Sequence, residues 1–428
     1  MVKSLVRCMA TLAFACIVTP AVADPGDLDL FSAESLSLIG DVRLVGADGE
    51  RAGSKGGFGK LRFGGDAADK RSDFHLEPAF GEAALVWQPR LTWGLSGTVV
   101  ALAQGGPDFE AGLSEAYLSW KPLSNSAVRL SARAGLMWPP VSLEHSGPEW
   151  AVTNSITPSA INSWIGEEVK VVGGELSASI NAGTHKLSVT GGLFDSNDTA
   201  GALLAFRGWA LHDRKILLGR RQPLPPLDAF SASIQPSFSH PTLEIDPGFF
   251  RRPGYYAKFA WDPPASVHLE YLHYDNDGDP EMVNADMEWG WRTRFDNVGL
   301  VAELSPVWQV RAQGMRGTTR MGFPKNGALW VDSRFRSAFA LLTRQFARGS
   351  VSARVEAFGT RNRGSAVTAL NDEDGWAVTV AARRSLDQWL TLLVEGLHVE
   401  SRKDARSQAM VAAQQSGTQM QLSLRARW

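Results

Sequence analysis

The sequence predicts an all-β fold, a transmembrane antiparallel β-barrel of about 16 strands with short periplasmic turns and long extracellular loops. Three observations predict it. Apolar and polar residues alternate over repeated stretches of about ten residues, the length of a tilted membrane-spanning strand. Short turns rich in Pro, Gly, Asn and Asp punctuate these stretches at regular intervals. Tryptophans gather beside those turns, as aromatics do at a membrane interface.

Residues 1–23 read as a secretory signal peptide. Lys3 and Arg7 supply the charge, Cys8 to Val18 is the apolar run, and Ala21-Val-Ala23 offers a cleavage site before Asp24. The run is too short to span a membrane, and no later stretch of about 18 apolar residues appears. Both cysteines, Cys8 and Cys16, lie in this segment, so the exported chain 24–428 has no thiol for a disulfide or a Cys-based metal site. The formal net charge of -2 becomes more negative once Lys3 and Arg7 are removed, which gives nucleic-acid binding no support. Hydrophobic content of 44% looks soluble, but only alternate barrel residues meet lipid, so averages conceal a barrel.

The strands follow in order. Leu36 to Val45 sets Leu36, Leu38, Gly40, Val42 and Leu44 against Ser37, Asp41 and Arg43. Leu91 to Gln104, Val128 to Met137, Val351 to Gly359 and Trp376 to Arg383 repeat the alternation. In the final strand Met420, Leu422, Leu424, Ala426 and Trp428 alternate with Gln421, Ser423, Arg425 and Arg427. Short turns are expected at Gln88 to Arg90, Pro122 to Ala127, Asn181 to Lys186, Asp262 to Ser266, Ser305 to Val307, Ala347 to Ser350 and Arg384 to Gln388. With both termini on the same side, these give about 16 strands. An 18-strand barrel follows instead if Leu203 to Leu211 pairs with Phe230 to Gln235. Trp87, Trp120, Trp261, Trp308, Trp389 and Trp428 fall at one rim of the threaded barrel.

Two connections are long. Residues 138–164 contain Trp138, Glu144, His145 and Glu149 and are expected to be the third outer loop; residues 195–254 are expected to be a long extracellular loop. Alternation assigns Arg43, Arg129, Arg133, Arg334, Arg336, Arg354 and Arg383 to the lumen, with Arg425 and Arg427 beside them. Asp41, Glu270, Glu303, Asp332, Glu356 and Glu395 share that face. A charge facing lipid at mid-bilayer costs about 2–4 kcal/mol, which favours the lumen assignment. Two readings stand: the arginines bias permeation toward anions, or they pair with the acids and stabilise the wall. Arg129 and Arg133 lead into the loop 138–164 and are the first functional candidates.

Other clusters have plain explanations. Glu144, His145 and Glu149 suit a metal or acid–base cluster, or simply a polar loop in water. Glu167 and Glu168 either oppose Arg129 and Arg133 or sit at a loop edge. His212, Asp213 and Arg214 suit loop anchoring. Asp275 to Asp279 resembles a calcium loop, but lacks the Glu at its twelfth position. No cofactor is indicated.

Ala116-Tyr-Leu-Ser-Trp-Lys-Pro122, the strand Arg129 to Leu136 and the following Trp138-Pro-Pro-Val-Ser-Leu-Glu144 together resemble a strand–turn–strand–loop of phosphate-selective porin-like proteins. The final strand resembles the C-terminal strand by which outer-membrane barrels are recognised for assembly, with Trp428 where Phe is usual. The resemblance implies an outer-membrane location, a homotrimer, lipid and the barrel-assembly machinery as partners, passive diffusion of small hydrophilic solutes or ions, and a third loop folded into the lumen. The lysine-rich loop that strong phosphate selection would require is missing. An outer-membrane lipase or protease would need a Ser–His pair at the rim, and about 400 residues are too few for a 22-strand transporter with a plug.

Overall fold

The computed structural model describes residues 30–32, 34–64, 74–106, 109–195, 199–228, 230, 236–239, 252–365 and 372–428. The expected signal peptide and residues 231–235 lie outside the described residues. Sixteen antiparallel strands form a closed barrel: β1 Leu36–Ala47, β2 His75–Trp87, β3 Leu95–Gln104, β4 Glu110–Trp120, β5 Val128–Met137, β6 Val171–Ala182, β7 His185–Phe194 and β8 Gly254–Asp262 in the first half. The second half is β9 Val267–Asp275, β10 Arg292–Ser305, β11 Trp308–Met321, β12 Val331–Phe346, β13 Gly349–Asn362, β14 Glu373–Ser385, β15 Leu390–Lys403 and β16 Gln414–Arg427. Each strand pairs with its sequence neighbours, and β1 closes the barrel by pairing with both β2 and β16. Closure leaves no unpaired edge, which a bilayer requires because no water is there to satisfy one.

The seven expected turns all join strands at one end of the barrel. The first is wider than expected. Arg90–Thr92 doubles back onto Leu95 and Ser96, so β3 begins at Leu95 and not at Leu91. At the tip Trp93 and Gly94 make the tight turn, where glycine adds no side chain near Pro122. Register shifts between Asp41 and Val42 and between Val100 and Ala101 bend their strands, as bulges do in a closing sheet.

The outward face is apolar across the bilayer. Leu38, Val42, Leu44, Met420, Leu422 and Leu424 are exposed on neighbouring strands. Trp120, Trp308, Trp389 and Trp428 are exposed beside the short turns, forming the expected rim. The alternative of 18 strands does not hold. Leu203 to Leu211 is not a strand: Ala202–Phe206 is a short helix, fully buried inside the barrel.

Candidate functional site: the lumen

Besides residues 48–64 between β1 and β2, which carry the buried Lys60, Leu61 and Arg62, two longer extracellular connections fold back into the lumen. The first runs from Trp138 to Lys170 and carries helix α1, Ala160–Glu168, in which every residue is buried, the polar ones included. Ser159 caps it, its hydroxyl accepting from the Asn162 N–H at 3.4 Å. The wall supplies further acceptors. Glu356 takes the Ala160 N–H at 2.7 Å and Glu395 takes the Ile156 N–H at 2.6 Å, while Glu144, from the loop itself, takes the Ser159 N–H at 2.9 Å. Arg354 lies between the acids, 3.0 Å from Glu144 and 2.9 Å from Glu356, and donates to the carbonyls of Thr157 and Pro158. Thus Arg354 and Glu144 act together as a latch on the loop.

The second infolded segment runs from Thr199 to Leu227 and carries α2, Ala202–Phe206. Gly201 opens it at φ +99°, where a side chain would collide with Thr293 and Thr319 of the wall. Glu168 of α1 accepts from the N–H groups of Gly201 and Leu203, from Ser239 and from the Trp164 indole, so it joins both segments. Burial pushes its carboxyl up to about 7. Glu167 takes Arg207 through two bonds of 2.6 Å and His212 at 2.7 Å. Burial opposes ionisation there, but Arg207 and His212 hold Glu167 below the usual carboxylate range. Asp213 bridges Arg43 of β1 at 2.6 Å and Arg62 at 2.7 Å; against its burial, these arginines hold it well below the usual range. Lys215 pairs with Glu82 of β2 at 2.8 Å. Lys60 pairs with Glu373 of β14.

Between these polar ties the extracellular half of the lumen is filled by aromatic packing. Trp164 of α1 lies edge-on to Phe295 of β10 at 5.5 Å and against Phe335 of β12 at 5.2 Å, and Trp209 packs on both Trp164 and Phe335. At the lower edge of the first loop, Trp150 stacks between Trp138 at 4.2 Å and His145 at 3.6 Å, with Lys170 over the far face of Trp138. Burial drives His145 well below its ordinary pKa and lowers Lys170 to about 7. Ser146, next to His145, is exposed.

The periplasmic half has a different wall. Ser131, Ser177, Ser179, Ser188 and Thr190 present short hydroxyls on β5 to β7. Arg129, Arg383 and Arg427 stand on the inward register of β5, β14 and β16 near the mouth, and none has an acid within ion-pair reach among the described residues. Arg133 is bidentate to Glu175 at 2.9 Å, yet a quarter of its side chain is exposed (27%). Glu303 is an exposed acid on the inward register of β10 at the same end.

The sequence-derived candidates therefore divide. Arg43, Arg129, Arg133, Arg354 and Arg383 face inward, but Arg43 and Arg354 are buried in ion pairs. Arg334 and Arg336 do not line the lumen: both are exposed on the outer face of β12, while Ser333, Phe335 and Ser337 between and beside them are buried inside. Asp332 shares their outward face. The reason is that loops pack against this part of the lumen, so its inner wall is apolar and apolar no longer means outward. Trp138, Glu144, His145 and Glu149 all lie in the infolded loop, but serve packing and latching; Lys215 also reaches the Glu149 carbonyl at 3.0 Å. Glu167 and Glu168 do not oppose Arg129 and Arg133. Asp275, Asp277 and Asp279 are neutralised by Arg252 and Arg292. Residues 195–254 are not simply an extracellular loop, because 199–217 are interior. Sequence reasoning missed Arg62, in the connection between β1 and β2, and also Arg207 and Trp209, whose only signal was an unusually long connection with a full complement of apolar and charged residues.

No protein-family model matches the sequence, and no curated protein sequence matches it. Solved structures do. The outer membrane channel DcaP of Acinetobacter baumannii superimposes with a TM-score of 0.55 at 11% identity, over 95% of this chain and 99% of that one. An anion-selective porin from Comamonas acidovorans gives 0.48 at 11% identity over 92% and 98%. A loop-deletion mutant of OmpT, an outer membrane protein of Vibrio cholerae, gives 0.48 at 8% identity over 92% and 99%. With its apolar outer band, aromatic rim and closed hydrogen bonding, the chain is a porin-like β-barrel of the bacterial outer membrane.

Proposed function

We propose that this barrel is a loop-narrowed channel for passive diffusion of small hydrophilic solutes, with a preference for anions. The observation that carries the reading is the set of inward arginines at the periplasmic mouth, Arg129, Arg383 and Arg427, with no acid within ion-pair reach among the described residues. Unneutralised guanidinium groups raise the local concentration of anions and favour their entry. The hydroxyl wall beside them accepts and donates hydrogen bonds without adding charge. Loop 138–164 is the constriction in this reading, and Arg133 lies between the open mouth and that loop. The DcaP neighbour is described as a channel and the Comamonas protein as anion-selective, which agrees with the proposal. Export by the 1–23 signal, recognition of the last strand by the assembly machinery and a homotrimeric state complete it. No catalytic residue is assigned.

Single-channel current in a planar bilayer under a salt gradient tests the reading. The folded protein should conduct with a reversal potential directed toward the anion. Arg129→Glu combined with Arg383→Glu should move it toward the cation while the double variant still folds. Cation preference in the wild type would make the arginines wall residues only. No conductance from folded protein would remove the channel reading.

A further inference from the structure

The arginines that left the lumen create a different problem on the outside. On the outer face of β11 to β13, Arg316 is directly opposite Arg336, and Arg334 is directly opposite Arg361. Directly opposed cross-strand residues sit about 5 Å apart at Cα, and like charges at that spacing repel. Arg334 and Arg336 are two residues apart on one strand, so four guanidinium groups share one patch.

The barrel neutralises this patch incompletely. Asp296 reaches Arg316 only at 3.8 Å, and Asp374 reaches Arg336 only at 3.9 Å. Asp374 is already engaged by Arg361. Arg334 has no acid within ion-pair reach among the described residues. The side chains of Arg316 and Arg336 are 84% and 75% exposed, unlike the buried pairs of the lumen.

The height of the patch says what meets it. Below Arg336 the outward residues of β12 are Ala338, Ala340 and Leu342, then Arg344, whose guanidinium lies over the Trp308 and Phe346 rings, and Phe346 itself near the periplasmic turn. Ten residues at about 3.3 Å each, on a strand tilted by about 40°, span roughly 25 Å, the height of a barrel's apolar band. Arg336 therefore stands at the outer boundary of the hydrocarbon, where headgroups lie. The feature is confined to one side: at similar height β2 and β7 expose Leu76 and Leu193.

We propose that this face binds the phosphorylated headgroup of an outer-leaflet glycolipid. A phosphate monoester carries the missing negative charge, and the guanidinium fork matches it bidentately. The acyl chains then lie against the apolar stripe directly below. This goes beyond the channel reading and does not depend on it, since the face lies outside the pore.

Native mass spectrometry of the full barrel in detergent tests it, with bisphosphorylated lipid A, dephosphorylated lipid A of the same acyl chains, and inorganic phosphate as probes. The wild type should retain the bisphosphorylated lipid and bind the dephosphorylated one about ten-fold more weakly. Arg334→Gln combined with Arg336→Gln should lower binding of the phosphorylated lipid by a similar factor, with folding verified by heat-modifiable gel migration. Equal retention of both lipids by the wild type overturns the proposal and needs no variant. Displacement of the lipid by millimolar phosphate would show a free-anion site instead. A change of oligomeric state in the double variant, with lipid retention intact, would assign the face to contact between copies and also overturn it.

Discussion

Arg354 shows how charge is used inside this barrel. Its guanidinium is buried between Glu144 and Glu356, so its removal leaves two carboxylates facing each other without water. Arg354→Met is expected to cost about 3–5 kcal/mol, the range for breaking a buried pair from one side. The urea midpoint of the heat-modifiable folded band measures it; an unchanged midpoint would show that the latch carries no stability. Glu168 gives a pH dependence. Its folded carboxyl titrates at about 7 against an ordinary 4.5, so the folded state keeps a proton that the unfolded chain loses in between. Stability from this group is therefore present at low pH and is lost as pH rises from about 4.5 through 7. Between pH 5 and pH 8 the melting temperature of Glu168→Gln should fall by less, or rise by more, than that of the wild type. An identical difference in the variant would place its origin elsewhere.

At the scale of elements, the infolded loops decide what occupies the lumen. Alternation is visible in strands because lipid and lumen are opposite solvents, and so β1, β5, β13, β14 and β16 were readable. Loops that pack inside the lumen obey neither solvent. The segment Leu203 to Leu211 alternates locally, but Gly201 and Glu168 commit it to a helical turn against the wall. The same packing reverses polarity on β12, where Phe335, Phe339 and Leu341 face inward and Arg334 faces out. Sequence alternation separates two faces there without saying which is inside. Deleting residues 142–153, the lower edge of the first loop, should raise single-channel conductance roughly two-fold or more if this loop limits passage. Unchanged conductance would move the constriction to the second infolded segment.

For the whole molecule, closure is the dominant constraint. The last strand pairs with β1 from Ile39 opposite Arg427 to Ala47 opposite Gln419, and Leu38 exchanges two backbone hydrogen bonds with Trp428. Losing residues 420–428 would expose the edges of both β1 and β15 to lipid, where each unmade hydrogen bond is costly. The truncated chain should yield no heat-modifiable folded band, whereas Trp428→Phe should yield a normal one. A folded band from the truncation would show that β1 and β15 can close the barrel without it.

The alternation, the turn residues and the placement of tryptophan by themselves determined an outer-membrane barrel of about sixteen strands, with eighteen excluded only by the buried helix Ala202–Phe206, because a bilayer admits few ways to satisfy a backbone and each leaves a period in the sequence. Only the tertiary structure decided what fills the lumen, which arginines are paired there, which remain open at the mouth, and which stand outside. Those outcomes depend on contacts between residues more than a hundred positions apart, such as Arg354 with Glu144 and Arg43 with Asp213. Local periodicity records the solvent on each side of a strand, and it carries no record of a distant loop that replaces that solvent.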